Sequence, residues 1–496
     1  MDGVRAGSWA RRLRSAGGRQ RKLVTGQAAG GAGKALHILA VSESVDQHSA
    51  ATGPAGAACA LVEGVATRTV AFDAHDAIDR QRFEAEVRGL AATLPAARHA
   101  INLCADRYRF LVAFCAAASR GQITLLPPSR APAVIDQALA QYADSYCLGD
   151  ELLPHEPPRY RRLPALLPQL AGAALSIDAD ALVAIGFTSG STGQPKPNPK
   201  TWASFRASTA QNLLALGDLL ADDGTSTTAL VATVPPQHMY GMEMSVLLPL
   251  LGPVAVHAAR PFFPDDVARA LRDAPAPPLL VTTPVHLRAL LESGIALPPL
   301  AGIVSATAAL PAELALAAET RFGCQVREVF GSTETCVIAR RRTAHEVAWT
   351  PLPGVCVTPQ PDGTVVTGPN LPEPVLLADF VEVHGDGRFE LRGRNTDLLD
   401  IAGKRASLGD LTRKLLAVPG VLDGVVFQLE DADGAGVRRI AALAVAPTLD
   451  PAAILSALRD QVDPVFLPRR LRCVESLPRN GTGKLPRLAL LELLRD

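Results

Sequence analysis

Aromatic residues are scarce in this chain of 496 residues, with three Trp, five Tyr and 14 Phe making up 4%. A core must therefore be assembled mainly from Ala, Val and Leu. The supply is sufficient: apolar residues are 48% and charged residues 20%, a balance that excludes a disordered chain. Charge of one sign is missing as well. Lys and Arg number 49 and so do Asp and Glu, so no global field draws the protein to DNA, RNA or anionic lipid, and no nucleic-acid partner is expected. No uninterrupted apolar run reaches the length of a membrane span; the nearest, 245–259, is broken by Pro249 and Pro253. The eight cysteines form no Cys-x-x-Cys pair and no His/Cys cluster with zinc spacing. Scattered reduced thiols in a cytoplasmic protein are the expectation. Gly and Pro are plentiful, 40 of each, which predicts many turns without a collagen-like period.

The first 34 residues carry eight cations and the single acid Asp2 among Gly and Ala. Such a basic segment, poor in apolar residues, cannot bury a core and reads as a disordered tail. Without it the remainder holds 41 basic against 48 acidic residues. From Ala35 onward short apolar runs alternate with amphipathic stretches. Strands are predicted at 36–41, 100–103, 123–126, 228–234, 254–257, 279–282 and 302–304, and helices at 107–120 and 133–142. Alternation of this kind predicts an α/β fold with mainly parallel sheets covered by helices. After about Pro369 the pattern changes to strand–turn–strand: 375–384, the turn Gly385-Asp386-Gly387, then 388–392. Helices at 408–417 and 451–462 and strands at 424–429 and 439–445 complete a compact α+β unit. The predicted organisation is a tail (1–34), a large domain (35–393) and a small mobile domain (394–496).

One segment stands out chemically. Phe187-Thr188-Ser189-Gly190-Ser191-Thr192-Gly193-Gln194-Pro195-Lys196 follows an apolar strand at 181–186. Glycines let backbone N–H groups turn inward and the hydroxyls add donors, which suits a polyphosphate. On composition alone a Ser/Gly linker fits as well. It is not a Walker loop, because Gly-Lys-Ser/Thr is absent. In its order, Thr-Ser-Gly-Ser-Thr-Gly-x-Pro-Lys resembles the phosphate loop of the adenylate-forming superfamily, which includes acyl-CoA synthetases, peptide-synthetase adenylation domains and luciferases.

Four further segments resemble that family in the same chain order, so the resemblance runs from about Asn102 to Arg487. Pro235-Pro236-Gln237-His238-Met239-Tyr240-Gly241 is similar to its His-x-x-Gly loop, which implies that His238 and Gly241 border the acyl pocket. Val329-Phe330-Gly331-Ser332-Thr333-Glu334 is similar to its Tyr-Gly-x-Thr-Glu run. The resemblance implies Phe330 against adenine, Thr333 donating to the α-phosphate, and Glu334 holding magnesium, a hard cation suited to carboxylate oxygen. Leu377-Ala378-Asp379 stands where the family has Thr-Gly-Asp, and implies Asp379 accepting from both ribose hydroxyls. Gly393-Arg394-Asn395-Thr396-Asp397 resembles the interdomain hinge, with Arg394 toward ribose or phosphate and the hinge at Thr396 or Asp397. Gly403, in Ile401-Ala402-Gly403-Lys404-Arg405, would let a pantetheine arm pass. Gly481-Thr482-Gly483-Lys484 looks like the terminal Gly-Lys motif, which makes Lys484 the catalytic cation.

The family's Ser-Gly-Gly-Ala-Pro segment is altered: Ala306-Thr307 replaces Gly-Gly beside the adenine and acyl site. Trp202 stands where a polar residue is expected. Thr333, Glu334, Asp379, Arg394 and Lys484 are all retained, which points to an active enzyme. The resemblance thus implies the adenylate-forming enzyme fold and an acid–thiol ligase. ATP, Mg2+ and CoA or a phosphopantetheinyl carrier are the expected cofactors, with a small carboxylic acid and an acyl carrier protein as partners. Asp106-Arg107-Tyr108, 125–129 and 401–405 are similar to ligases of aryl-polyene or xanthomonadin-type pigment pathways. A small-molecule kinase and a non-catalytic nucleotide-binding scaffold are the alternative readings.

Overall fold

The computed structural model describes residues 57–189, 195–221, 227–394, 398–401, 404–432, 438–459, 461–479 and 485–495. The basic tail and the strand expected at 36–41 lie outside them. Two large sheets carry most of the chain. The first is six-stranded, in the order Pro195–Thr201, Leu182–Ser189, Ile123–Leu126, His99–Asn102, Ser145–Gly149 and Tyr160–Arg162. All its neighbours are parallel except the first pair, which is an antiparallel hairpin. The second is nine-stranded. Its parallel centre runs Val326–Ser332, Gly302–Ser305, Leu279–Thr282, Thr228–Ala232, Val254–His257, Thr69–Phe72. Antiparallel strands close it at both ends. The strands at the parallel centre are buried along almost their whole length, the mark of sheets covered on both faces.

Between the sheets lies the helix Arg107–Ser119, which touches strands of both. Its sequence, RYRFLVAFCAAAS, is apolar on every face from Phe110 to Ala118 and nearly every residue is buried, as a helix enclosed on every side requires. Asp106 starts it, its side chain accepting from Arg109 N at 2.8 Å. The small residues at 113 and 115–118 let the sheets approach closely.

Beyond residue 398 a separate apolar cluster forms around Leu399, Leu411, Leu415, Val426, Ile440, Ile454 and Leu458. It packs the helices Leu408–Leu416 and Pro451–Arg459 onto the strands Asp423–Ala432, Arg438–Val445 and Arg470–Cys473. Residues 55–496 nevertheless form one compact unit.

Two readings change. The strand expected at 375–384 is divided at Ala378, because the chain changes partners there. Val375–Leu377 pairs with Gly363–Thr367, and Asp379–Val383 pairs with Phe389–Arg394. Trp202 is fully buried and its Nε1 donates to Ala60 O at 3.2 Å, so this position is structural. Among the described residues no helix is long and apolar enough to cross a membrane.

Candidate active site

The segment expected to cradle phosphates is the end of a β-hairpin. Leu182–Ser189 and Pro195–Thr201 pair antiparallel, with Thr188 opposite Lys196 and Ser189 opposite Pro195. Thr188 and Ser189 therefore belong to the strand; Gly190, Ser191, Thr192 and Gly193 lie outside the described residues. The strand extends this far because its apolar run continues through Phe187, which is buried against Tyr142 with ring centroids 5.8 Å apart.

Gly186 marks where the pieces meet. A Cβ placed on it would lie 2.7 Å from Thr333 Cγ2 and 3.0 Å from Met239 Cε. Three segments distant in sequence converge there: the strand leading into the Ser/Thr/Gly motif, the turn holding Thr333 and Glu334, and the helix start beside His238.

The turn is tight. Ser332 pairs with Cys336, leaving Thr333, Glu334 and Thr335 to reverse the chain. Ser332 N donates to Thr335 Oγ1 and Thr335 N to Ser332 Oγ, each at 3.2 Å. Lys200 Nζ donates to Glu334 O at 2.6 Å and Asn370 Nδ2 to Thr335 O at 2.9 Å. The side chains of Thr333 and Glu334 remain half-buried, on a backbone gripped from beneath. Phe330 packs its ring 5.4 Å from Trp349 and 6.2 Å from Phe389. Asp379 is buried and sits directly opposite Arg394 in the ladder, and Thr364 Oγ1 donates to its carbonyl at 2.6 Å. Among the described residues no three His, Cys, Asp or Glu converge as a metal site. Magnesium does not need such a cage, since one or two carboxylates plus substrate phosphates usually hold it.

His238 begins the short helix Met239–Met242 and is half-buried. Two contacts fix this segment. Tyr240 Oη donates to Val304 O at 2.9 Å, and burial pushes the phenol pKa well up, so it stays a donor. Gln237 Nε2 donates to Cys104 O at 3.0 Å. Arg107, fully buried, holds the approach to the segment: its guanidinium donates to Ser245 Oγ, to Ala232 O at 2.9 Å and to Val234 O at 2.8 Å. Burial, with Arg260 next in effect, pulls its pKa down to about 9.

Val304 leads into Ser305-Ala306-Thr307, where glycines were expected. Thr307 has φ +80°, in the left-handed region that a β-branched residue rarely adopts. Its Oγ1 and the Oγ of Ser305 are buried without a hydrogen-bond partner. The backbone keeps the shape a glycine would take, at a cost of roughly 1–2 kcal/mol. Thr307→Gly is accordingly expected to raise the melting temperature by about 2 °C, read by calorimetry. A lower melting temperature would show that the Thr307 side chain supports this turn.

Thr396, Asp397, Gly403 and Lys484 lie outside the described residues, as does the side chain of Arg394. Of the other expected residues, Gly186 brings Thr333 beside the His238 segment, Asp379 and Arg394 are ladder partners, and Tyr240 joins the His238 segment to the strand before Ala306 and Thr307. Reading the sequence missed Lys200 and Glu243, and gave Arg107 no role. Nothing local marks a buried charge whose partners lie 31 to 138 residues away.

The profile of the AMP-binding enzyme family matches residues 87–367. A 4-coumarate–CoA ligase of Rhodobacter capsulatus is 31% identical over 317 residues, covering 62% of this chain and 76% of that protein. Enterobactin synthase component E of Escherichia coli is 26% identical over 359 residues, 64% of this chain and 65% of its own. The structure of ATP-bound MatB from Rhodopseudomonas palustris superposes with a TM-score of 0.70 at 21% identity, over 85% of this chain and 94% of that one. At that identity the likeness is one of fold.

Proposed function

The chain belongs to the AMP-binding enzyme family, and from that premise we propose that it joins a carboxylic acid to AMP and then passes the acyl group to a thiol. The observation that carries the reading is the contact at Gly186. It brings the strand of the Ser/Thr/Gly motif, the Thr333–Glu334 turn and the His238 segment to one point. A phosphate end and an acyl end on either side of one reacting centre are what acid activation needs.

In the first half-reaction a carboxylate oxygen attacks the α-phosphorus of ATP, the bond to the β-phosphate oxygen breaks, and pyrophosphate leaves. No protein nucleophile takes part, so the chain contributes positioning and charge. In this reading Thr188–Lys196 hold the β- and γ-phosphates and Thr333 donates to the α-phosphate. Asp379 takes the ribose hydroxyls, Arg394 reaches ribose or phosphate, and Phe330 packs against adenine. His238, Gly241, Ala306 and Thr307 border the acid. Magnesium, when bound, would be held by Glu334 and phosphate oxygens and supplies positive charge against the charge that builds up. Lys484 bridges the carboxylate and the phosphate. In the second half-reaction a thiol attacks the acyl carbon and AMP leaves. Movement of residues 394–496 about Thr396 or Asp397 withdraws Lys484 and brings Gly403 to the pantetheine path. CoA and a phosphopantetheinyl carrier protein offer the same thiol. The likeness to 4-coumarate–CoA ligase favours an aryl acid over a fatty or polyketide-type acid.

The test is carboxylate-dependent ATP–pyrophosphate exchange across benzoates, cinnamates and fatty acids. Exchange with an aryl acid, with AMP as nucleotide product, is the expected result. ADP as product would make the protein a kinase. Nucleotide binding without exchange across the panel would make it a scaffold. CoA and a loaded carrier protein, offered in turn to the activated acid, separate the two acceptors.

A further inference from the structure

Lysine is seldom buried unless paired, yet Lys200 is only 5% exposed. It lies on the edge strand Pro195–Thr201, in the run Pro197-Asn198-Pro199-Lys200, whose prolines suit an edge because no neighbour needs their missing N–H. Its ammonium donates to the carbonyl oxygen of Glu334 at 2.6 Å. Nearby is a second buried charge, Glu243, which continues the helix that His238 begins. The Glu243 carboxylate accepts from Ser208 Oγ at 2.6 Å, Asn212 Nδ2 at 3.1 Å and Val337 N at 3.1 Å. Burial raises its pKa, and Lys200 is close enough to oppose that rise. Both charges border Cys336, whose thiol is pushed up to about 12 by burial first and by Glu243 next.

The two groups grip the two legs of one turn. Lys200 holds the carbonyl of Glu334 and Glu243 holds the amide of Val337. Between them Cys336 has φ +61°, a left-handed conformation that persists only where its surroundings over-determine it. Removing either grip frees the strained residue to relax, and Thr333 and Glu334 shift with it.

We propose that Lys200 and Glu243 are positioning residues that set where the Thr333 hydroxyl and Glu334 carboxylate stand over the nucleotide. Because Glu243 is on the His238 helix, the same pair ties the phosphate side of the site to its acid side. The inference rests on the functional reading above. It assigns the two residues an action through the turn they hold.

The test uses Lys200→Met/Glu243→Gln in the full chain, since removing both charges avoids stranding one buried ion. The double variant is expected to melt near the wild type while kcat for pyrophosphate exchange falls about tenfold, with KM for the acid changed by less than about twofold. Amide hydrogen exchange over 333–337 is expected to quicken about tenfold, without a matching change elsewhere. Lys200→Arg, which keeps the buried cation, is expected to recover most of both effects. A folded double variant with wild-type kcat and wild-type protection of the turn would overturn the proposal, and so would a rise in the acid's KM equal to the fall in kcat. If the wild type exchanges pyrophosphate with no acid, the functional reading fails by itself. Hydrogen exchange still decides whether the pair holds the turn.

Discussion

Gly241→Ala is expected to lower carboxylate-dependent pyrophosphate exchange by about 10²-fold, the scale at which misplacing a reacting group by an ångström is felt. A Cβ at this position would lie 1.9 Å from Pro235 O, 2.8 Å from Pro235 C and 3.3 Å from Pro236 Cα. All three are backbone atoms, so no side chain can rotate away. Nor can Gly241 retreat easily. Ser245 Oγ donates to Gly241 O at 2.6 Å and accepts from Arg107, whose guanidinium also holds Ala232 O and Val234 O. The movement must therefore fall on 235–238, because Pro235 O accepts from His238 N at 3.2 Å. His238 is displaced and the acid end of the site changes shape. Overpacking of this kind costs about 1–3 kcal/mol of stability as well, so melting is measured alongside kinetics. The signature is a KM for the acid that rises more than the KM for ATP. A folded alanine variant with unchanged acid KM would place the acid away from His238.

The same segment shows what a single sequence reveals. Buried strands at 123–126, 254–257 and 279–282 could be read to the residue, because a strand covered on both faces is a nearly continuous apolar run. The helix expected at 107–120 ends one residue earlier, at Ser119, and its start is as expected; the Asp106 side chain that caps that start was not read from the sequence. Long-range pairing was not. The strand expected at 375–384 changes partners at Ala378 without a Gly or Pro to mark the change. Thr307 gave no hint of a left-handed backbone, because β-branched residues are the ones that avoid it. Lys200 sits in a Pro- and Asn-containing run that reads as a polar loop, yet it is a buried cation bonded to a carbonyl 134 residues away. Motif residues could be found because a known family orders them. The residues that hold the motifs in place leave no local period or spacing to find.

Lys484→Ala is expected to have the largest effect, a fall in exchange of about 10²- to 10³-fold, the scale of losing one preorganised donor at a developing charge. Residues on both sides of it are anchored to the same strand. Arg479 forms an ion pair with Asp423 at 2.8 Å, and Arg487 donates to Gln428 O at 2.7 Å. Leu477 and Leu485 pack against Phe427, Leu443 and Leu490 in one apolar cluster. The substitution leaves Leu477, Arg479, Leu485 and Arg487 themselves unchanged, so melting should stay within about 1 °C of the wild type. The proposed mechanism makes a sharper demand. If Lys484 serves only the step in which the carboxylate attacks ATP and is withdrawn before the thiol arrives, the variant must still convert a preformed acyl-adenylate to thioester at nearly the wild-type rate. Supplying that adenylate chemically, with CoA as acceptor, separates the two half-reactions. Loss of both steps in a protein that melts normally would place Lys484 at the site throughout and remove the reason for residues 394–496 to move between steps. Loss of the first step alone is what two chemistries sharing one site through a moving lysine require.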